Sequence, residues 1–160
     1  MTIEQRVTSE CRKIGVPAHI MGYHYVRDAI MMVIKDLDFL KHVTKEIYPT
    51  IAKEAGTISS NVERAIRHAI DVAWTHGNLE YQNEVFGYSI AVNRDRPTNS
   101  QFIATIADKV KLDTIEANLI EINNLDFNAL TTRDVELLCM RYNVHAICEG
   151  GKIVKFEYDE

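Results

Sequence analysis

Residues 48–75, YPTIAKEAGTISSNVERAIRHAIDVAWT, decide how the chain is read. A short helical stretch opens near Pro49, a residue tolerated in a first helical turn because its missing N–H has no intrahelical partner there. Gly56 follows the stretch and can take the left-handed conformation that ends a helix. After a four-residue turn, a longer helical pattern runs from Asn61 to Thr75. Ser60 as N-cap and Glu63 three residues on predict a capping box, in which each side chain bonds the other's backbone N–H. The short helix, glycine, turn and longer helix have the proportions of a helix-turn-helix. Ala52 is small enough for close approach of the second helix, on which Val62, Ala65, Ile66, Ala69 and Ala73 form the stripe expected to be buried.

At 100° per residue the opposite face centres on Ser60, Arg64, Arg67 and Asp71, with Glu63 and His68 at its flanks. Arginine can bond guanine O6 and N7 together, and glutamate can accept from cytosine N4, so this face has the chemistry of a recognition helix in the major groove. A solvated face beside a helical core has the same spacing. The pattern alone leaves both readings open.

Upstream, Ile3, Val7, Cys11 and Ile14 predict a helix over residues 2–14, closed by Gly15-Val16-Pro17. Val26, Ile30, Val33, Ile34 and Leu37 predict a second helix over residues 23–40, and a third covers residues 43–55, shortened by Pro49. Downstream, residues 79–92 carry Val85, Phe86 and Tyr88 without a helical assignment. The Pro97-Thr98-Asn99-Ser100 run starts a helix with Phe102, Ile103, Ile106 and Val110, continued by Ile115, Leu119 and Ile122. Thr131 and Asp134 open another, with Val135, Leu138, Cys139 and Tyr142 on one side. Residues 144–149, Gly150-Gly151 and residues 152–158 predict a two-residue β-hairpin in which Glu149 faces Lys152, Ile147 faces Val154 and His145 faces Phe156. Such a hairpin needs a helix or the main domain to pack on.

With 160 residues the chain has room for one domain and a small appendage. Only 7 Gly and 3 Pro argue against a disordered or turn-rich β chain. No stretch is long and apolar enough for a membrane span, and the N-terminus lacks the apolar core of a secretory signal. Three scattered cysteines, Cys11, Cys139 and Cys148, argue against a disulfide framework and for a reducing cytoplasm. The net charge of −5 looks unfavourable for nucleic acid, but it is unevenly placed. Residues 1–112 hold 14 Lys/Arg against 13 Asp/Glu, a net of +1, whereas residues 113–160 hold 4 against 10, a net of −6.

Three segments extend the helix-turn-helix into a family likeness: IGVPAHIMGYHYVRDAI (14–30), IYPTIAKEAGTISSNVERAIRHAIDVAWTHGN (47–78) and FGYSIAVNRDRPTNSQFIATIADKVKLD (86–113). Over residues 1–113 the chain resembles the C-terminal DNA-binding effector domain of the stage zero sporulation protein A family of response regulators. The resemblance implies a mainly α, six-helix effector domain that binds a short double-stranded DNA operator, including as a homodimer on tandem sites. It implies base-reading positions for Glu63, Arg64 and Arg67, and neighbouring backbone or flanking contacts for Ser60, Asn61 and His68. It places Arg94, Arg96, Thr98, Asn99 and Ser100 in a basic loop entering the last helix, suited to phosphate because a helix N-terminus directs N–H groups at an anion. Members carry a receiver domain ahead of the effector. This chain begins at the effector, so phosphoaspartate control in cis is expected to be missing. Residues 114–160 fall outside the likeness and are expected to form an acidic α+β extension, a helix plus a β-hairpin.

The expected function is therefore sequence-specific transcriptional regulation, with no enzymatic activity, cofactor or membrane. A rival reading is an interaction module that antagonises or adapts RNA polymerase or a full-length family regulator, with the acidic tail shielding the basic face or docking. Metal binding finds little support. The six histidines make no i,i+4 pair, and His145, Cys139 and Cys148 lack a fourth ligand at recognisable spacing. No GxSxG, phosphate-binding glycine loop or HExxH occurs.

Overall fold

The computed structural model describes residues 1–87 and 96–159, and within them the chain forms two compact units, Met1–Val110 and Lys111–Glu160. In the first unit, α1 (Ile3–Ile14) starts at Thr2, whose hydroxyl accepts from the Gln5 N–H at 3.2 Å while Gln5 Oε1 accepts from the Thr2 N–H at 2.9 Å. It ends at Gly15, with φ of 104°, where Gly15 N–H reaches the Arg12 carbonyl and Val16 N–H the Cys11 carbonyl. Two such bonds answer two of the carbonyls that every helix C-terminus leaves open.

Helix α2 (Met21–Lys35) is shorter than the sequence pattern predicts. Asp36 adopts an extended conformation and caps a 3-10 turn at Leu37–His42 by accepting from the Asp38 N–H at 2.9 Å. A π turn at Val43–Ile47 follows, then α3 (Tyr48–Ala55), so Pro49 does lie in a first helical turn. Gly56 closes α3 at φ 64°, with its own N–H on Lys53 O and that of Thr57 on Ala52 O, the same two-bond ending found at Gly15.

The long helix α4 (Ser59–His76) buries Val62, Ile66, Ala69, Ile70 and Ala73, and Ala65 is partly buried beside them. Its start differs from the expected capping box. Ile58 holds the N-cap position, no side chain caps the helix, and Ser60 lies inside the first turn. Glu63 is instead engaged by Arg67, so its carboxylate lies along the helix rather than back at the cap.

Residues 79–86 form a helix that periodicity did not predict, α5 (Leu79–Phe86), capped by Asn78, whose Oδ1 accepts from the Tyr81 N–H at 3.0 Å. Gln82 on it is buried and donates from Nε2 to the carbonyls of Ile14 at 3.1 Å and Ala73 at 2.7 Å. One amide thus ties the ends of α1 and α4 together, adding to the bonds that the Asn78 N–H makes to the Ile14 carbonyl and the Gly77 N–H to the Ala73 carbonyl. Phe86 stacks on Phe102 at 5.5 Å and meets Trp74 edge-on at 5.2 Å. The last helix of the unit, α6 (Asn99–Asn123), contributes Phe102, Ile103, Ile106, Ala107 and Val110 to the core. Ahead of it the Thr98 hydroxyl accepts from the Gln101 N–H, and Gln101 Oε1 accepts from the Thr98 N–H.

The second unit has its own small core of Ile122, Val144 and Phe156, with Leu119, Phe127, Val135, Leu138 and Cys139 packed against it. Helix α7 (Thr132–Tyr142) opens on the Thr131–Asp134 capping box that the sequence predicts. Bonds from Thr131 hold the exposed Asp134 carboxyl below its ordinary range. Strands β1 (Val144–Glu149) and β2 (Lys152–Tyr158) form the expected hairpin around Gly150-Gly151. Its register departs from strict alternation. Glu149 pairs with Lys152, but a bulge after Ile147 sets Cys148 opposite Ile153 and Ile147 opposite Lys155. Ala146 then faces Phe156, and His145 faces Glu157. The extra residue is Val154, which is left exposed.

Candidate nucleic-acid interface

The α3–α4 pair is the helix-turn-helix, and the first helical turn of α4 sets what it can present. Burial of Val62, Ile66, Ala69 and Ala73 fixes the rotation of the helix, which turns Ser60, Asn61, Arg64, Arg67 and His68 to the solvent. Glycine at position 22 makes this seating possible, since α2 lies so close that a Cβ there would stand 2.1 Å from the Ala65 carbonyl oxygen.

On the exposed face Arg64 has no hydrogen-bond or ion-pair partner among the described residues. Arg67 Nη2 reaches Glu63 Oε1 at 3.0 Å, with the two side chains 53% and 41% exposed. Exposed pairs at this spacing contribute about 0.3–0.5 kcal/mol. A good bidentate base contact discriminates by about 1–3 kcal/mol. Arg67 can therefore exchange Glu63 for a base edge at small cost. Asn61 Nδ2 donates to Thr57 Oγ1 at 3.1 Å, which ties the turn to the first turn of α4. Asp71 pairs with Arg96 and so links the far end of this face to the segment leading into α6.

The loop residues divide. Arg94 lies outside the described residues. Arg96, Thr98 and Ser100 are exposed, and Ser100 lines a groove with Lys41, His42 and Lys45. Lys41, His42 and Lys45 lie in a run just ahead of the helix-turn-helix, and nothing in their spacing marks them as part of this groove.

Asn99 is placed differently from its neighbours. Its side chain is buried, and Nδ2 donates to Tyr48 Oη and to the Glu63 carbonyl, both at 3.1 Å. The amide braces α3, α4 and α6 together instead of facing a phosphate. Burial pushes the Tyr48 phenol up, so Tyr48 meets this amide as a neutral hydroxyl. Asn99→Ala is expected to lower stability by about 1–3 kcal/mol, because it strands the buried Tyr48 hydroxyl and removes the brace on α4. A urea titration followed by circular dichroism measures this, and an unchanged midpoint would remove Asn99 from the frame.

Residues 7–110 match the family described as sporulation initiation factor Spo0A C terminal. The chain belongs to this family. As a Spo0A C-terminal domain it is a DNA-binding, transcription-regulating effector of the sporulation response-regulator type, a family of DNA-binding domains and not of enzymes. The match ends at the last residue of the first compact unit, so the Spo0A likeness covers α1 through the first half of α6. Among the described residues no helix is long and apolar enough to cross a membrane, and no group of three or more His, Cys, Asp or Glu is placed to hold a metal.

Proposed function

We propose that this chain is a sequence-specific transcriptional regulator that acts in the cytoplasm and reads double-stranded DNA with the outward face of α4. Residues 1–113 would form the DNA-binding module and residues 114–160 an acidic extension. Arg64 and Arg67 take base edges in the major groove, and Glu63 adds selectivity once Arg67 leaves it. Ser60, Asn61 and His68 border the groove. Arg94, Arg96, Thr98 and Ser100 meet phosphates, while Asn99 acts from behind as a brace.

Arg64 carries this reading: it is exposed, has no hydrogen-bond or ion-pair partner among the described residues, and shares its face with a second arginine held only by a weak pair. A guanidinium left open at the centre of a recognition helix has a fork that matches guanine O6 and N7. The near-neutral charge of residues 1–112 is no obstacle, because contact depends on the local basic face.

A mobility-shift titration of the full chain on family-type operator and scrambled duplexes tests the proposal. Preference for the operator supports it, and equal binding, or none at low salt, defeats it. Arg96→Ala separates the two kinds of contact. It should weaken binding to both duplexes alike and reduce the slope of log K against log salt by about one. A loss confined to the operator would show that Arg96 reads sequence instead.

A further inference from the structure

The N-cap of α4 is occupied by a residue poorly suited to it. Ser, Thr, Asp and Asn are favoured at that position because a side-chain oxygen can accept from the open N–H groups of the first turn, and isoleucine is among the poorest choices. Both neighbours, Thr57 and Ser59, carry hydroxyls, yet Ile58 has the cap position and no side chain caps the helix. Ile58 is not there to fill the core. It is 62% exposed and, among the described residues, is the one large apolar side chain left open within residues 48–76. Scattered exposed apolar residues are ordinary. Here the position itself carries a stability cost and sits at the tip of the helix that faces the bases.

The neighbours of Ile58 define what could meet it. The Ile58 carbonyl accepts from the N–H groups of Asn61 and Val62, so the residue is held at the start of the first turn. Asn61 is bonded back to Thr57, and Arg64 is exposed one turn further on. The N-terminal residues of a recognition helix are those that meet base edges, and the thymine C5 methyl is the apolar group displayed in the major groove.

We propose that Ile58 is a specificity-determining residue that packs on a thymine methyl group next to the base contacted by Arg64. The inference rests on the DNA-reading function proposed above. It adds an apolar contact to a face whose other members are polar. Burying one methyl group corresponds to about a fourfold change in affinity.

The test uses the full chain and a duplex that the chain itself enriches from a random pool. Each thymine of that duplex is replaced in turn by deoxyuridine, which removes only the methyl group. The parent chain should lose about fourfold at one position of the site and little elsewhere. Ile58→Ser should bind the methylated and unmethylated duplexes equally at that position, and Ile58→Val should retain the difference. Serine suits an N-cap, so the Ile58→Ser chain is expected to fold at least as well as the parent, which a urea titration verifies. Enrichment of a sequence with no methyl-sensitive thymine, or equal sensitivity in Ile58→Ser, overturns the role of Ile58 alone. Failure to enrich any sequence overturns the DNA-reading function and this inference together.

Discussion

Arg64→Ala is expected to erase the preference for guanine at one position of the bound site, a loss of roughly fivefold to 150-fold, while leaving the fold intact. The magnitude is that of one bidentate arginine contact, about 1–3 kcal/mol of discrimination. The effect can be isolated because Arg64 is exposed and makes no hydrogen bond or ion pair among the described residues. Alanine is also at least as good a helix former, so stability should stay within about 0.5 kcal/mol of the parent. Arg64→Lys should lose most of the preference as well, since an ammonium keeps the charge but not the two-pronged geometry. Competition titrations against duplexes changed at single base pairs measure this. If the variant ranks those duplexes as the parent does, the central role belongs to another residue.

The largest effect on stability is expected at Gly22, against the buried side of α4. Replacing an ordinary glycine in a helix with alanine stabilises it by up to about 1 kcal/mol. Gly22→Ala should do the reverse. The added Cβ would lie 2.1 Å from the Ala65 carbonyl oxygen and 2.8 Å from both the Ala65 carbonyl carbon and the Ala69 Cβ. Two of those three atoms are backbone of the recognition helix, so no side-chain rotation gives relief. Overpacking of this kind typically costs about 1–3 kcal/mol, and a backbone collision belongs at the upper end. Because α4 would have to move, DNA binding should fall with stability. Thermal unfolding and a mobility shift on the same sample measure both effects, and a raised midpoint would mean that α2 and α4 do not meet at this closeness.

The helix-turn-helix was legible in the sequence because its determinants are local and redundant. Gly56, Ala52 and the apolar stripe of α4 each point to the same geometry, and the two-bond ending at Gly56 follows from glycine's access to positive φ. The cap of α4 is ambiguous in sequence because Thr57, Ser59 and Ser60 all offer hydroxyls within four residues. Which position caps depends on where packing starts the helix.

Helix α5 is hidden in the sequence for a related reason. Its buried set includes Gln82, a polar residue that hydrophobic periodicity counts as solvent-facing, and the partners of Gln82 lie 68 and 9 residues away. The hairpin register departs from strict alternation at the bulge. Ile147 and Val154 are both apolar, so alternation matched them, and only the three-dimensional pairing reveals that Val154 is the extra residue. Among the site residues, exposure of Ser60, Arg64 and Arg67 followed from helix rotation alone. The bracing role of Asn99 depended on contacts with Tyr48 and Glu63, 51 and 36 residues distant, which spacing cannot encode.

Gln82 also sets a gradient of order along α4. At the far end, its amide and the Gly77 N–H both bond to the Ala73 carbonyl, and the Asn78 N–H bonds to Ile14, fastening that end to α1. At the near end no side chain caps the first turn, which is held by Val62 in the core, by the Asn61–Thr57 bond and, at Glu63, by Asn99. Local opening is therefore expected to start more readily at the uncapped Ile58 end than at the Gly77 end, which amide exchange would measure. The part of the helix proposed to meet the bases would then be the part freer to adjust, with the rest holding its aim.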